Sequence, residues 1–170
     1  MVSGRSNAFE PAAFTWRNEV LPADVGAVRD LVAATGFFSD AEVAIAVELV
    51  DERLAKTDAS GYHFVLAEQG GRLAAYACFG PIAGTLSAFD LYWIAVAPVA
   101  QGRGLGRQLL ASAEAAMRAM GATRHYAETS STDRYAPTRA FYEANGFRLV
   151  ARIDDFYRPG DGKVIYERVL

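Results

Sequence analysis

The stretch VAPVAQGRGLGRQLL, residues 96–110, places a glycine-rich segment between an apolar run and an apolar helical pattern. Its glycines are Gly102, Gly104 and Gly106, and the arginines between and after them are Arg103 and Arg107. A strand, a short loop and a glycine-rich helix start bring free backbone N–H groups and the positive end of a helix dipole to one spot. The stretch therefore predicts an anion site, and a pyrophosphate suits it.

Three kinds of phosphate-binding loop compete for this segment. The dinucleotide fingerprint G-x-G-x-x-G is disfavoured because the third glycine stands one position too early. The P-loop is disfavoured because no Gly-Lys-Ser or Gly-Lys-Thr ends the segment. A pyrophosphate-binding strand-to-helix loop remains. The alternative that stays open is a tight turn that needs glycine for its backbone alone.

Length and composition favour one globular domain. The chain has 170 residues, of which 52% are apolar, so it can bury one core and is short for two. The sequence contains no internal repeat or low-complexity linker. We therefore expect a single domain over residues 1–170, with residues 1–11 frayed.

Charge and cysteine content exclude several classes of partner. The net charge of −3 gives no basic field for nucleic acid or anionic lipid, so any anion site is local. A single cysteine, Cys78, allows no internal disulfide, and the two histidines are too far apart in sequence to suggest a metal site. No signal peptide or membrane span is evident. These features predict a cytoplasmic protein with no metal, no nucleic-acid partner and no membrane partner.

Hydrophobic periodicity and turn residues predict the order β, α, α, β, β, β, α, β, α, β, β. Ser39 and Glu42 form a capping-box signature at the start of the second helix. The predicted strands cover residues 12–17, 62–68, 73–79, 89–96, 124–129, 147–153 and 163–169, and the predicted helices cover 22–34, 39–57, 105–120 and 137–144. This pattern indicates a mixed α/β sheet with helices on both faces.

The segment Gln101–Gly106 resembles the Q/R-x-x-G-x-G/A motif of the GCN5-related N-acetyltransferase (GNAT) family. LYWIAVAP upstream is similar to the family's fourth strand, and FYEANGF downstream is similar to its final helix and turn. The resemblance implies the acyl-CoA N-acyltransferase fold, a mostly antiparallel sheet of about seven strands with about four helices. It also implies acetyl-CoA as donor. The cofactor-binding residues implied are Ile94, Val96, Gln101, Gly102, Arg103, Gly104, Leu105, Gly106, Arg107 and Thr138.

The resemblance also implies catalytic roles for three side chains. Tyr142 occupies the family's tyrosine position, where a neutral phenol protonates the coenzyme A sulfur. Asp90 matches the position at which some members carry a glutamate base, and its shorter side chain would act through a water. Glu128 on the following strand is the rival base. A solvated strand-edge carboxylate is the alternative for either acid, and packing with neighbouring aromatic residues is the alternative for Tyr142.

One position departs from the family pattern. Many members carry an asparagine seven residues before the tyrosine, where it contacts the cofactor, and here Tyr135 stands in that place. The resemblance therefore leaves this contact to Thr138 or Arg139.

The expected function is transfer of an acetyl group to a primary amine of a small molecule or amino acid, by direct attack in a ternary complex. A non-catalytic acyl-CoA sensor, a protein or peptide acceptor, and another kind of nucleotide-binding protein are the alternatives. The segments that usually shape the acceptor site contain aromatic residues and one arginine, which equally suit a homodimer contact. These residues are Phe37, Phe38, Phe156, Tyr157 and Arg158.

Overall fold

The computed structural model describes residues 13–170, and the expected fraying of residues 1–11 lies outside the described residues. Seven strands form one sheet in the order β1-β2-β3-β4-β5-β7-β6. The strands are β1 (Thr15–Arg17), β2 (His63–Gln69), β3 (Arg72–Pro81), β4 (Ala88–Val96), β5 (Arg124–Ser130), β6 (Arg148–Arg158) and β7 (Asp161–Val169). The α-helices are α1 (Asp24–Ala34), α2 (Asp40–Lys56), α3 (Leu105–Ala119) and α4 (Ala136–Ala144). The predicted element order and fold class are confirmed.

The described residues divide into two compact units, while the prediction of a single domain over 1–170 stays a prediction. The first unit comprises the described residues up to Cys78 together with Trp93–Ala113. In it β1 pairs antiparallel with β2, and Arg17 binds the carboxylates of Asp24 and Glu68. Its buried apolar residues include Val28, Val32, Ala46, Val50 and Leu109.

The second unit comprises Phe79–Tyr92 and Glu114–Leu170. In it β4 runs parallel to β5, β5 antiparallel to β7, and β7 antiparallel to β6. Asp90 lies opposite Tyr126, so these two side chains share a sheet face with Glu128, two residues farther along β5. The opposite face of β5 carries the buried residues His125 and Ala127.

Several element boundaries differ from the prediction, those of α1, β6 and α3 among them. Helix α1 begins at Asp24, two residues after Pro22, because the Asp24 carboxylate accepts a hydrogen bond from the Leu21 amide at 2.7 Å and fixes the turn before the helix. Strand β6 continues to Arg158, so the predicted loop is shorter than RPGDG. Met120 lies beyond α3 and is exposed.

Within residues 13–170, no helix is both long enough and apolar enough to cross a membrane.

Candidate active site

The glycine-rich loop lies in the first unit, between β4 and α3. Gly102 and Gly104 adopt φ angles of +72° and +75°, which L side chains rarely adopt. A Cβ built at either position meets no atom within 4 Å, so the backbone conformation alone requires glycine there. Gly106 is the second residue of α3. The loop is therefore open on the side where side chains would stand.

The start of α3 presents backbone amides. The Gln108 amide donates to the Gly104 carbonyl at 3.2 Å and is the first such bond of the helix. The amides of residues 104–107 precede it and have no intrahelical acceptor, as at any helix start. Leu105 is 1% exposed and anchors this end of the helix in the core, while Arg103 and Arg107 are exposed. This geometry suits an anion near the helix start.

Gln101 joins the loop to the end of β4. Its side-chain amide donates a hydrogen bond to the Val96 carbonyl at 3.0 Å. A short 3-10 turn, Pro98–Ala100, lies between these two residues, and Ile94 and Val96 are half-buried on the strand. In this structure the Gln101 side chain therefore holds the shape of the loop.

Asp90 lies in the second unit, near the start of β4, and is half-buried. Burial, followed by the negative charge of Glu128, raises the pKa of Asp90 from 3.8 to about 6, and the positive charge of Lys163 opposes that rise. Among residues 13–170, none forms a hydrogen bond with the Asp90 carboxylate. A carboxylate of this kind can accept a proton near neutral pH.

Glu128 differs from Asp90 because its carboxylate forms an ion pair with a lysine. The Lys163 ammonium, on the neighbouring strand β7, binds the Glu128 carboxylate and lies 4.3 Å from the centre of the Phe156 ring. Lys163 is absent from the sequence-derived candidates. Its pairing depends on the β5–β7 register, which sets Ser130 opposite Lys163, and no local motif indicates that register.

Tyr142 is a buried residue of α4, 4% exposed. Its ring packs against Phe141, Phe147 and Tyr166, with ring centres 5.3–5.8 Å apart. Burial raises the pKa of Tyr142, so its phenol stays protonated at neutral pH. No residue of the described chain forms a hydrogen bond with this hydroxyl, which leaves its O–H as a donor for a ligand.

Arg139, a residue of α4, contacts the chain that precedes the helix. The Arg139 guanidinium donates two hydrogen bonds of 2.8 Å, to the carbonyls of Ser130 and Thr132. Arg139 therefore ties the loop after β5 to the helix. Thr138 is half-buried on the same helix, and its role toward a cofactor stays a prediction.

Two other polar side chains, those of His125 and Cys78, are buried in the core. His125 is fully buried, with Nδ1 3.2 Å from the Glu114 carboxylate, and burial lowers its pKa. Cys78 is also fully buried, and burial raises the pKa of its thiol. Over residues 13–170, no group of three or more His, Cys, Asp or Glu side chains is placed to hold a metal ion. The prediction that no metal takes part stays untested.

The aromatic residues expected near the acceptor form two separate pairs. Phe37 and Phe38, which follow α1, meet edge to face with ring centres 5.3 Å apart. Phe156 and Tyr157 on β6 do the same at 5.0 Å, and each is about half exposed.

The chain matches a family model described as acetyltransferase (GNAT) family, over residues 28–147. A crystal structure of a GNAT-family acetyltransferase from Desulfovibrio desulfuricans is 49% identical, covers 92% of this chain and 99% of its own, and superposes with a TM-score of 0.89. These matches confirm the resemblance drawn from the glycine motif. No curated protein matches the chain.

More distant solved structures share the fold. The acetyltransferase YncA from Salmonella typhimurium, solved with acetyl-CoA, is 21% identical, with 94% of this chain and 95% of that chain covered and a TM-score of 0.70. An aminoglycoside 6′-N-acetyltransferase solved with coenzyme A is 16% identical, with 93% and 97% covered and a TM-score of 0.72.

Proposed function

The chain belongs to the acetyltransferase (GNAT) family, and on that premise we propose that it transfers an acetyl group from acetyl-CoA to a primary amine. The acceptor is a small molecule or amino acid, and its amine attacks the thioester directly in a ternary complex. The observation that carries this proposal is Asp90, a half-buried carboxylate with a pKa of about 6 and no hydrogen bond from the described residues.

The glycine-rich loop holds the donor in this proposal. The backbone amides of residues 104–107 donate hydrogen bonds to the pyrophosphate oxygens, and Arg103 and Arg107 add positive charge. The open backbone at Gly102 and Gly104 supports this role, because nothing lies within 4 Å of the space that a Cβ would take. Ile94 and Val96 offer backbone groups to the pantetheine arm, and relatives solved with acetyl-CoA and coenzyme A support this choice of donor.

Asp90 acts as the general base. An alkylammonium has a pKa of about 10 in water, so the amine must lose a proton before it attacks. The raised pKa of Asp90 brings the pKa of the base closer to that of the alkylammonium, which makes the proton transfer less unfavourable. The short Asp90 side chain reaches the ammonium through one water. Glu128 remains paired with Lys163 and serves chiefly to raise the pKa of Asp90.

Tyr142 donates a hydrogen bond to the departing thiolate. Its phenol is protonated at neutral pH and has no acceptor among the described residues. Such a bond stabilises charge that develops only as the C–S bond breaks, which lowers the barrier rather than tightening ground-state binding.

The test is thiol release from acetyl-CoA in the presence of a panel of amines, amino acids and short peptides, with calorimetric titration of acetyl-CoA and NAD alongside. The proposal predicts acetyl-CoA binding and amine-dependent thiol release. Tight binding of NAD without any response to acetyl-CoA contradicts it. If the protein binds acetyl-CoA but no amine causes thiol release, and if Tyr142→Phe binds acetyl-CoA as the wild type does, the protein is a sensor instead.

A further inference from the structure

The chain contains two lysines, Lys56 and Lys163, among seventeen basic residues, so the other fifteen are arginines. Lys56 lies on α2, where it is 58% exposed and binds Glu52 one turn away. Lys163 lies on β7, where its side chain is 17% exposed and binds Glu128. Both ammonium groups are paired with a carboxylate, but only Lys163 belongs to the cluster that contains Asp90.

The sheet register explains this arrangement. Asp90 lies opposite Tyr126 on the parallel strand β5, and Glu128 follows two residues later on the same face. Lys163 lies opposite Ser130, two residues beyond Glu128, and its side chain reaches back to the Glu128 carboxylate. Glu128 therefore stands between Asp90 and the Lys163 nitrogen. The Phe156 ring, 4.3 Å from Nζ, holds that nitrogen in place.

We propose that Lys163 is a site of self-acetylation, in which its own amine takes the place of the acceptor beside Asp90. This inference rests on the proposed function, because acetyl-CoA supplies the acetyl group. An acceptor nitrogen must come within hydrogen-bond reach of Asp90, directly or through one water. Lys163 is a primary amine in the same cluster of charges, close enough for its positive charge to affect the pKa of Asp90, and its flexible aliphatic chain allows the ammonium to leave Glu128.

Asp90 takes a proton from the Lys163 ammonium, and the free amine attacks the thioester carbonyl carbon. A C–N bond forms and the C–S bond breaks. As the intermediate collapses, the nitrogen releases its second proton to water. Coenzyme A leaves as a thiol after gaining a proton from Tyr142, and the proton released to water returns to the phenolate. The products are Nζ-acetyl-lysine, coenzyme A and one proton, which Asp90 passes to water.

The modification removes the charge that holds Glu128. An acetylated Lys163 cannot form the ion pair or the contact between its cation and the Phe156 ring. Self-acetylation therefore converts the cluster from a state in which Lys163 pairs with Glu128 to a second state in which Glu128 has lost that cation.

The test incubates the intact protein with isotopically labelled acetyl-CoA and no added amine, and maps the acetylated peptides by mass spectrometry over time. We expect labelling at Lys163 to be faster than at Lys56 by about a hundredfold, within the range that a positioned base contributes. Exposure alone predicts the opposite order, since Lys56 is the more exposed. Lys56→Arg should leave the Lys163 rate unchanged, and Lys163→Arg should abolish the fast phase.

Two further arms make the outcome decisive. Asp90→Asn should slow labelling of Lys163 to the rate seen in protein unfolded by urea, where the two lysines should react alike. A rate constant unchanged over about a tenfold dilution shows that each molecule modifies itself. Equal labelling of the two lysines in the folded protein, or an unchanged rate in Asp90→Asn, overturns the inference.

The same preparations separate this inference from the proposed function. If acetyl-CoA binds and amines release thiol while Lys163 stays unmodified, self-acetylation alone is wrong. If neither acetyl-CoA binding nor thiol release occurs, both proposals are contradicted.

Discussion

Glu128 on β5 binds the Lys163 ammonium on β7, and this ion pair distinguishes Glu128 from the neighbouring acid Asp90. Two carboxylates on one sheet face thereby acquire different properties. Glu128 is held by a cation, whereas Asp90 keeps a raised pKa and no hydrogen bond from residues 13–170. The ion pair makes Asp90 the better candidate for the base.

The first prediction concerns the pH profile. Glu128→Gln removes the negative charge that helps to raise the pKa of Asp90, so the acid limb of kcat/KM should move to a pH below its wild-type position near 6. Lys163→Met removes the opposing positive charge and should move the limb to higher pH. The measurement is kcat/KM from pH 4.5 to 8, roughly the window in which such a base titrates. Shifts in the same direction for both variants would refute the assignment.

The second prediction concerns stability. The folded protein holds the Asp90 proton more tightly than the unfolded chain does, so ionising Asp90 costs folding free energy. That cost is absent below pH 3.8, grows as the pH rises and is complete above about pH 6. Asp90→Asn should therefore be more stable than wild type at pH 8, by about 1 kcal/mol after allowance for solvent screening, and no more stable at pH 3.5.

Urea unfolding at the two pH values measures this difference. Asp154→Asn provides a matched control, because Asp154 is an exposed acid on β6 paired with Arg152. It should change stability by less than about 0.5 kcal/mol at either pH. A loss of stability in Asp90→Asn at pH 8 would show that the carboxylate is structural.

The third prediction concerns Tyr142. Tyr142→Phe keeps the ring packed against Phe147 and Tyr166 and removes only the hydroxyl. We expect kcat to fall by about a hundredfold while acetyl-CoA affinity changes little, since the bond forms as the thiolate departs. Steady-state kinetics and calorimetry give the two quantities. An unchanged kcat would indicate that Tyr142 contributes only to packing and that its hydroxyl takes no part in catalysis.

The fourth prediction concerns the loop. Gly104→Val places a β-branched side chain at a φ of +75°, where it is strained, and beside the amides proposed to hold the pyrophosphate. The dissociation constant for acetyl-CoA should rise at least about tenfold. Gly84→Val carries a similar strain at φ +79° outside the loop, and it should lose comparable stability without losing affinity. Equal acetyl-CoA affinities in Gly104→Val and Gly84→Val would indicate that the loop is a structural turn and does not bind the pyrophosphate.

Local sequence signals were enough to predict most of the fold. Ser39 and Glu42 form the capping box that the sequence indicates, with the Ser39 oxygen accepting from the Glu42 amide. The glycine segment ends at the predicted helix because positive φ angles at Gly102 and Gly104 interrupt regular structure before α3. Such signals depend on a few consecutive residues, which makes them readable in the sequence.

The charges around the candidate base could not be predicted in the same way. The pairing of Lys163 with Glu128 spans 35 residues of sequence and depends on the β5–β7 register. Arg139, for which the resemblance offered a cofactor contact, likewise donates to the carbonyls of Ser130, at the end of β5, and Thr132, in the loop that follows. Non-local contacts of this kind carry no short motif. The sequence indicates both Asp90 and Glu128 as candidates for the base. Only the fold distinguishes them, because it pairs Glu128 with Lys163 and leaves Asp90 with a raised pKa.

In the proposed reaction Asp90, and not Glu128, removes the proton from the acceptor amine. The direct measurement compares kcat/KM for amine-dependent thiol release at pH 8 in wild type, Asp90→Asn and Glu128→Gln. We predict a loss of at least about a hundredfold in Asp90→Asn and less than about tenfold in Glu128→Gln. A larger loss in Glu128→Gln than in Asp90→Asn would show that Glu128, and not Asp90, is the base.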